Sequence, residues 1–408
     1  MSAHTEARTK SPAGYSPLAY RRHHVRRQPL VPRAPFRSGD VGTVTLDRST
    51  YIQFFDGGVE PQHGLLGGKC ASLVSLTAAG MPVPPGFAVT TALYDGFVDQ
   101  SGLAATITML LASLDVDDVA CVDVVSLRIR DEICSRPVPS HLRAITIAAY
   151  EELQSRFDHE VPVAVRSSAT AEDLPDASFA GQQDTYLWLI GLDAVLEKIR
   201  QCWASLYTSR AITYRAKNGI PDEGLSMAVA VQKMVNARAA GVAITMNPAT
   251  GDRSKITIDA SYGVGEMVVS GQVTPDNIVL DKVMLSVVSE TIGDKHAELV
   301  PDLESKSLVE REVDPERRQR RCLSDAELLL VAAMAKRAEK HFLCPQDIEW
   351  AVDADLPDGD NLLLLQSRPE TVHSSKQAVP GSAPSSSSTS NFNLSSIICA
   401  LTGVQPKL

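Results

Sequence analysis

An α+β fold is the class that this sequence predicts, and three observations lead to it. Segments with helical spacing of their apolar residues and short apolar runs of strand length both recur along the chain. With 408 residues, the chain is long enough for two domains or for one large domain with two lobes. Its composition, 44% hydrophobic and 22% charged, is that of a globular protein. No apolar run approaches the ~18 to 20 residues that a membrane span requires, so we expect no membrane protein.

The first half of the chain is predicted to be mainly helical. Apolar spacing indicates a helix over residues 65–79, which Gly80 should end and which the prolines that follow prevent from continuing. The other elements predicted for this half are a strand over 87–91, a helix over 91–99, helices within 103–157 with Ser140 as an N-cap, a strand over 161–165 and a helix over 192–216.

The second half is predicted to contain mostly strands. Ser324 and Glu327 have the spacing of a capping box, which should open an apolar-striped helix that runs to Phe342. The strand predictions are 227–234, 241–246, 255–260, a hairpin over 278–289 after a turn at 274–277, and a final pair at 348–352 and 362–366.

Both ends of the chain differ in composition from its body. Residues 1–48 hold nine Arg and Lys against three acidic residues and show no apolar periodicity, so we interpret them as a basic disordered tail. A transit peptide and a nucleic-acid-binding arm are the alternatives for this segment. Residues 373–408 begin with a Ser/Pro-rich linker, 374–390, that cannot bury a core.

Charge and cysteine content narrow the class of protein further. Beyond residue 48 the chain carries 30 basic and 46 acidic residues, and such an acidic body argues against nucleic-acid binding. The seven cysteines are odd in number and lack the CxxC spacing of zinc sites. Reduced thiols are therefore expected, as in a cytoplasmic protein.

Residues 163–186 form the segment that is most informative about function. A short apolar run leads into Arg166, after which the chain is rich in small and hydroxylated residues. A guanidinium can bind phosphate oxygens through two parallel hydrogen bonds, and small residues let backbone N–H groups approach the same oxygens. The segment is therefore a candidate polyphosphate site, with a polar surface loop as the alternative.

Further segments in a fixed order extend this interpretation. They are LGGKCASL at 66–73, GMPVPPGFAVTT at 80–91, CWASLYTSRAITYR at 202–215, VAVQKMV at 229–235, AGVAITMNPATGD at 240–252, SYGVGEMVVSGQVTPD at 261–276, QDIEWAVD at 346–353 and LLLLQSRPE at 362–370. Together with residues 163–186, they resemble the ATP-grasp nucleotide-binding domain of the phosphoenolpyruvate synthase, pyruvate phosphate dikinase and rifampin phosphotransferase family. The resemblance covers residues 52–372 and implies an ATP-grasp fold whose two lobes, 50–215 and 220–372, close on ATP and Mg²⁺.

Three cations are implied by this resemblance to act on the nucleotide phosphates. Lys69 follows two glycines at the start of a predicted helix, where the family's lysine binds phosphate. Arg166 and Arg368 match the other two phosphate-binding positions. Cys70 departs from the family pattern, which mostly has Gly or Asn at that position, and we expect such a small residue to be tolerated.

Other positions match residues that contact the nucleotide in the family. Gly181 does so through its backbone and Thr185 through its hydroxyl or main chain. Gln232 is a polar residue within an apolar strand, so its amide needs partners, and in the family it lies beside the adenine or ribose.

Two predicted strands near residue 350 carry the candidate metal ligands. Asp347 and Glu349 alternate along one strand, and Gln366 and Arg368 alternate along the next, so each pair faces one side of its strand. Carboxylate and amide oxygens are ligands that suit Mg²⁺. From the pattern alone a solvent-facing strand edge is the alternative, whereas the resemblance implies metal ligands at Asp347, Glu349 and Gln366.

Secondary candidates have weaker support from the sequence. Glu266 and Asp276 are close in sequence to Gly263 and Gly265, which predict a tight turn that is equally well explained as structural. The acidic pair at 172 and 173 is interpreted as loop solvation.

The resemblance also implies a reaction. In the family, ATP is split in two stages to AMP, a histidine on a swivelling domain is phosphorylated, and the phosphoryl group passes to pyruvate or to a hydroxyl of rifampin. None of the nine histidines, His373 included, has the sequence context of that domain, so we expect a separate phosphohistidine protein as partner. Three hypotheses remain: an active phosphotransferase subunit, a non-catalytic ATP-binding or regulatory module, and an ATP-grasp ligase, which we rank last.

Overall fold

The computed structural model describes residues 48–170, 184–222, 224–302 and 304–370. These residues form helices and antiparallel strands in three sheets, which confirms the predicted combination of helix and strand. None of the helices in the described ranges is long and apolar enough to cross a membrane. The six cysteines within the same ranges are free thiols.

The first sheet has five strands. They are β1 (Ile52–Phe54), β2 (Gly86–Val89), β3 (Val163–Ala169), β4 (Thr185–Leu189) and β5 (Met227–Lys233). Their order is β1-β2-β5-β3-β4, so β5 lies between β2 and β3 and this sheet extends past the predicted lobe boundary at 215–220. Every residue of β3 is buried, because other strands flank it and helices cover the sheet.

Eight α-helices of the described chain precede β5. They are α1 (Arg48–Tyr51), α2 (His63–Ala78), α3 (Thr91–Gln100), α4 (Leu103–Ala112), α5 (Val119–Ser135), α6 (Ser140–Gln154), α7 (Leu192–Ala204) and α8 (Ser209–Lys217). Apart from α2, these helices share an apolar core with β2, β3 and β5, in which Trp203 stacks on Phe97 with ring centroids 5.2 Å apart.

Two predictions about these helices are wrong in detail. The helix expected over 192–216 is interrupted by a 3₁₀ turn at Ser205–Tyr207. Thr208 then adopts an extended conformation, and its hydroxyl accepts a hydrogen bond from the Ala211 N–H, which starts α8 as a separate helix. Ser140 is not an N-cap, because α6 begins at Ser140 itself and Pro139 is the N-cap.

The predicted end of α2 at Gly80 is confirmed. Gly80 has a φ of 70°, a left-handed conformation that glycine adopts at little cost. The Gly80 N–H donates to the Thr77 carbonyl and the Met81 N–H donates to the Leu76 carbonyl, at 2.9 and 3.0 Å. This pair of bonds is a Schellman motif, which satisfies the last carbonyls of the helix.

The remaining strands form a six-stranded sheet and a separate hairpin. The larger sheet contains β6 (Ala237–Ile244), β7 (Lys255–Tyr262), β8 (Asp276–Asp281), β9 (Val287–Thr291), β12 (Gln346–Asp353) and β13 (Leu362–Pro369), in the order β13-β12-β6-β7-β8-β9. Strands β8 and β9 pair as the predicted hairpin. The hairpin of β10 (Ala297–Asp302) and β11 (Ser307–Glu312) was not predicted.

Three helices accompany the six-stranded sheet within the described residues. They are α9 (Glu266–Val269), α10 (Pro315–Arg318) and α11 (Asp325–Phe342). The capping box of Ser324 and Glu327 is present at the start of α11, as predicted. Apolar residues of α11, among them Val331 and Ala335, pack around the fully buried Trp350 of β12.

Helix α2 lies between the two large sheets and packs on both. Its Leu73 contributes to a cluster with β2 and β5 of the first sheet, whereas its Leu76 belongs to the core of the six-stranded sheet. The Ser72 hydroxyl donates to the carbonyl of Ser367 on β13, at 2.8 Å. This helix therefore brings the middle of β3 close to the last residues of β13.

Candidate functional site

Arg166, in the middle of β3, joins the two large sheets. Its side chain is largely buried, with 9% of the residue exposed. Its Nη2 donates to Glu349 Oε2 at 2.6 Å and to Gln366 Oε1 at 2.8 Å, and its Nη1 donates to the Leu365 carbonyl at 3.1 Å. Three residues that were predicted from separate parts of the sequence thus meet at one guanidinium.

The strand pair β12–β13 holds the predicted metal ligands in register. Glu349 lies opposite Gln366, and Asp347 lies opposite Arg368. Ile348, between the two acidic residues, is fully buried, whereas both acidic side chains are partly exposed, so the acidic residues share one face as predicted. Arg368 Nε donates to Asp347 Oδ2 at 2.9 Å.

Lys69 lies on α2, beside β3, the strand that carries Arg166. The residue is only 8% exposed, and its Nζ donates to the carbonyl of Ser167 at 3.0 Å. Two residues before it, Gly67 interrupts α2 with a φ of 64° and a ψ of 173°. Lys69 is therefore held against β3 at a break in the helix, next to Arg166.

The charges of this group shift the pKa values of its acids in opposite directions. Burial alone would raise the pKa of Glu349, but the positive charges of Arg166 and Lys69 outweigh burial and lower it. Burial raises the pKa of Asp347, and its ion pair with Arg368 offsets that effect only in part. The carboxylate of Glu349 is thus the better stabilised of the two anions.

Two other predicted residues lie on β4 and β5, the two strands that pair with β3. Thr185 pairs directly with Arg166 across β3 and β4. Gln232, on β5, is buried as expected, and its Nε2 donates to the Pro84 carbonyl at 3.2 Å. Gly181, His373 and the acidic residues at 172 and 173 lie outside the described residues.

The secondary candidate Asp276 belongs to a different buried network. It forms a fully buried ion pair with Lys295 and accepts hydrogen bonds from the N–H groups of Gly293 and Cys322. Lys295 Nζ also donates to the Gly293 carbonyl at 3.0 Å. These contacts fix β8 to the segments around β10 and α10, so they explain Asp276 without a nucleotide.

Gly263 and Glu266, near the start of α9, also have a structural explanation. Gly263 has a φ of 71°, and a Cβ there would lie 2.5 Å from the Leu299 carbonyl oxygen. Glu266 is the first residue of α9, where an acidic side chain suits the helix N-terminus. The tight turn predicted at this point is present.

The side-chain oxygens of Glu349 and Gln366 beside Arg166 fit a magnesium ion that is also bound by a phosphate ligand. The described residues contain no group of three or more His, Cys, Asp or Glu arranged to hold a metal. Glu349 and Gln366 nevertheless present two hard oxygens within 2.8 Å of one Arg166 nitrogen. Mg²⁺ is usually held by one or two carboxylates together with substrate phosphates and water, so such a small set suffices.

Arg166 also retains unused hydrogen-bonding capacity. Its Nε is buried and has no hydrogen-bond partner among the described residues. A buried donor without a partner is costly, so it calls for an explanation, and a bound ligand or ion is one such explanation. The arrangement as a whole offers two buried cations, two hard oxygens and one buried N–H donor, which suits a polyphosphate with its metal ion.

Two functionally placed residues were missed by the sequence predictions. Gly67 makes the break in α2, and Ser168, on β3, contacts both sides of that break. Both residues are close in sequence to predicted site residues, because Gly67 belongs to the Gly-Gly-Lys segment and Ser168 follows Arg166 by two residues. Nothing in the sequence showed that the two residues touch.

Comparison with known proteins identifies the family. The model described as the pyruvate phosphate dikinase, AMP/ATP-binding domain, matches residues 63–388. A protein named "Probable phosphoenolpyruvate synthase" from Methanothermobacter thermautotrophicus is 45% identical over 323 residues, which cover 79% of this chain and 46% of that protein. The phosphoenolpyruvate synthases of Aeropyrum pernix and Pyrococcus furiosus are 41% and 40% identical, over 77% and 79% of this chain and 41% and 44% of their own lengths.

This chain therefore spans less than half the length of these relatives. The region that matches the family model includes Lys69, Arg166 and the β12–β13 pair. From the family match, we conclude that the chain belongs to the family of pyruvate phosphate dikinase AMP/ATP-binding domains.

Proposed function

We propose that this chain binds Mg·ATP between the two large sheets and uses it to phosphorylate a histidine on a carrier domain. The observation that carries the proposal is the convergence on Arg166 of two hard oxygens from the other sheet, those of Glu349 and Gln366. Membership of an AMP/ATP-binding family supports the nucleotide. The relatives named phosphoenolpyruvate synthase support phosphoryl transfer rather than ligation.

The two buried cations would bind and neutralise the phosphates. Phosphoryl transfer needs little covalent chemistry from a protein, so positioning and charge stabilisation supply most of the catalysis. Arg166 can offer its fork of donors, of which Nε has no partner among the described residues, and Lys69 adds a second charge beside it. Arg368, on the exposed side of β13, would extend this positive surface toward solvent.

Glu349 and Gln366 would hold the magnesium ion, with Asp347 beside them on β12. When bound, the ion would neutralise charge on the phosphate oxygens. Glu349 is suited to this role because it is a carboxylate at neutral pH, and the charges of Arg166 and Lys69 lower its pKa further. Thr185 and Gln232 are proposed to contact the nucleotide from the strands that flank Arg166 and Ala164.

We further propose an ATP-grasp architecture in which each large sheet with its helices is one lobe. Strand β5 belongs to the first sheet, so the first lobe would run to the link between β5 and β6, at residues 234–236. A module that binds ATP without turnover is the second candidate function. Formation of AMP in the presence of a separately supplied histidine carrier domain distinguishes the two.

The test uses a matched pair of arginine substitutions. Arg166→Lys keeps the charge but removes the planar fork, so the affinity for Mg·ATP should fall about 10-fold or more, as expected for the loss of one or two charge-assisted bonds. Arg215→Lys is the control, because Arg215 is also buried and also bonds a carboxylate and a backbone carbonyl, those of Asp222 and Leu206. Isothermal titration measures both.

Two results would contradict the proposal. One is the absence of detectable binding by the unaltered chain at millimolar Mg·ATP. The other is an equal loss of affinity in the two variants, which would show that Arg166 acts through general stability.

A further inference from the structure

The break in α2 lies across one particular hydrogen bond of that helix. In an uninterrupted helix, the N–H of Cys70 would donate to the carbonyl of Leu66, four residues earlier. Gly67, with φ 64° and ψ 173°, interrupts the helical path between these two groups. Both groups are buried, so each needs a partner.

The hydroxyl of Ser168, on β3, contacts both groups. Its Oγ accepts a hydrogen bond from the Cys70 N–H at 3.1 Å and donates to the Leu66 carbonyl at 2.8 Å. Ser168 is fully buried. A side chain from a strand is thus inserted into the hydrogen-bond ladder of a helix, a recognised cause of helix kinks.

The close approach of the two elements depends on glycine at the break. A Cβ on Gly67 would lie 2.3 Å from the carbonyl oxygen of Ser168 and 2.6 Å from its Oγ. Its positive φ is a second reason why other residues are excluded. The absence of a side chain at Gly67 therefore lets β3 approach α2, and the Ser168 hydroxyl makes the two hydrogen bonds across the break.

This contact fixes the position of the lysine in the candidate site. Lys69 lies between Gly67 and Cys70, and its Nζ donates to the carbonyl of Ser167, the residue before Ser168. Arg166 lies two residues before Ser168 on the same strand, so the side chains of Arg166 and Ser168 point to the same face. The hydroxyl of Ser168 thus bonds the segment of α2 that carries Lys69 to the strand that carries Arg166.

We propose that Ser168 is a positioning residue, which holds the Gly67–Cys70 segment so that Lys69 and Arg166 act together on the phosphates of ATP. This inference rests on the proposed function. Ser168 touches no reacting group and acts through Lys69. A purely structural role would affect stability alone, so the test must separate stability from affinity.

The test is a double-mutant cycle between Ser168→Ala and Lys69→Met, read as the dissociation constant for Mg·ATP. Ser168→Ala should weaken binding roughly 5- to 10-fold, the scale of one or two lost hydrogen bonds. In the Lys69→Met background the same change should have no further effect, because residues that act through one another are not additive. Ser168→Cys, which keeps a weak donor and acceptor on a somewhat larger atom, should give an intermediate loss and serves if Ser168→Ala does not fold.

The matched control is Ser126→Ala. Ser126 is also buried, and its hydroxyl donates at 2.7 Å to the carbonyl of Tyr207, which is 81 residues away in sequence. Both residues lie outside the candidate site. Ser126→Ala removes one buried hydrogen bond where Ser168→Ala removes two, so it should lower the melting temperature by a smaller amount and leave the affinity unchanged.

The inference is overturned if Ser168→Ala binds like the unaltered chain, or if it loses the same factor in both backgrounds. If Lys69→Met weakens binding while Ser168→Ala does not, only this inference fails. If the unaltered chain binds no Mg·ATP, the proposed function fails first.

Discussion

The substitution Glu349→Gln separates the proposed metal-binding role of Glu349 from its structural role. Glutamine keeps the shape and can keep the acceptor oxygen that meets Arg166 Nη2 at 2.6 Å, and it replaces the other carboxylate oxygen by an uncharged NH₂ group. A hydrogen bond to a charged group contributes about 1.5–3 kcal/mol to stability, and a bond between neutral groups contributes about 0.5–1.5 kcal/mol. The substitution should therefore lower the free energy of unfolding by about 1 kcal/mol. Since the Glu349 side chain is 24% exposed, solvent screening keeps this loss at the low end.

The effect on nucleotide affinity should depend on magnesium. Loss of a carboxylate ligand should weaken Mg·ATP binding by about 1–3 kcal/mol, which is roughly 5- to 150-fold. Without magnesium the sign of the effect on affinity should reverse, because the substitution removes a negative charge beside Arg166 and Lys69, the two cations proposed to bind the phosphates. Isothermal titration of ATP with excess Mg²⁺, and then with a chelator, measures both affinities.

Glu339→Gln is the control for this experiment. Glu339 lies on α11, forms an ion pair with Lys282 at 3.0 Å, and is also 24% exposed. It should show neither effect on ATP. The reasoning is refuted if Glu349→Gln binds Mg·ATP as tightly as the unaltered chain, or if it loses the same factor with and without magnesium.

Two further predictions concern stability. The pKa of Glu349 is lowered in the folded chain, so its contribution to stability is present above the ordinary glutamate pKa of 4.5 and is lost as the pH falls through the lowered value. The free energy of unfolding of the unaltered chain should therefore exceed that of Glu349→Gln at neutral pH, and the difference should shrink as the pH falls below about 4.5. Urea unfolding followed by circular dichroism at several pH values measures the difference, and a difference that stays constant with pH would contradict the prediction. Lys295→Met should lower the free energy of unfolding in urea by about 3–5 kcal/mol, because it leaves the fully buried Asp276 carboxylate without its cation. Adding Asp276→Asn should restore part of that loss. If Lys295→Met alone lowers the free energy of unfolding by less than about 1 kcal/mol, the two N–H donors to Asp276 are enough to stabilise it.

Local signals in the sequence were enough to predict many individual elements. The Gly80 stop of α2 and the capping box of Ser324 and Glu327 depend on a few neighbouring residues, and both are present. The alternation of Asp347 and Glu349 with buried residues likewise predicted which side chains share a face. Such features depend on local backbone geometry, which the sequence encodes directly.

Features that depend on distant contacts were not predicted. The hairpin of β10 and β11 is partly exposed and mixes charged with apolar residues, so its strands show no clean alternation. Strand β4 is short and lies at a sheet edge, and it follows a segment with no apolar periodicity. The contact between Arg166 and Glu349 joins residues 183 apart in sequence, and the insertion of Ser168 into α2 joins residues about 100 apart.

The position of α2 between the two sheets has a thermodynamic consequence for ligand affinity. An exposed lysine that must become ordered when it binds loses about 1.5–2 kcal/mol of side-chain conformational entropy. Lys69 is already buried and hydrogen-bonded, on a helix whose Leu73 and Leu76 are anchored in separate cores. Its ordering therefore belongs to the folding of the chain, so less of the interaction energy is offset when an anion arrives. If Lys69 binds phosphate as proposed, packing far from the phosphates thus sets part of the affinity.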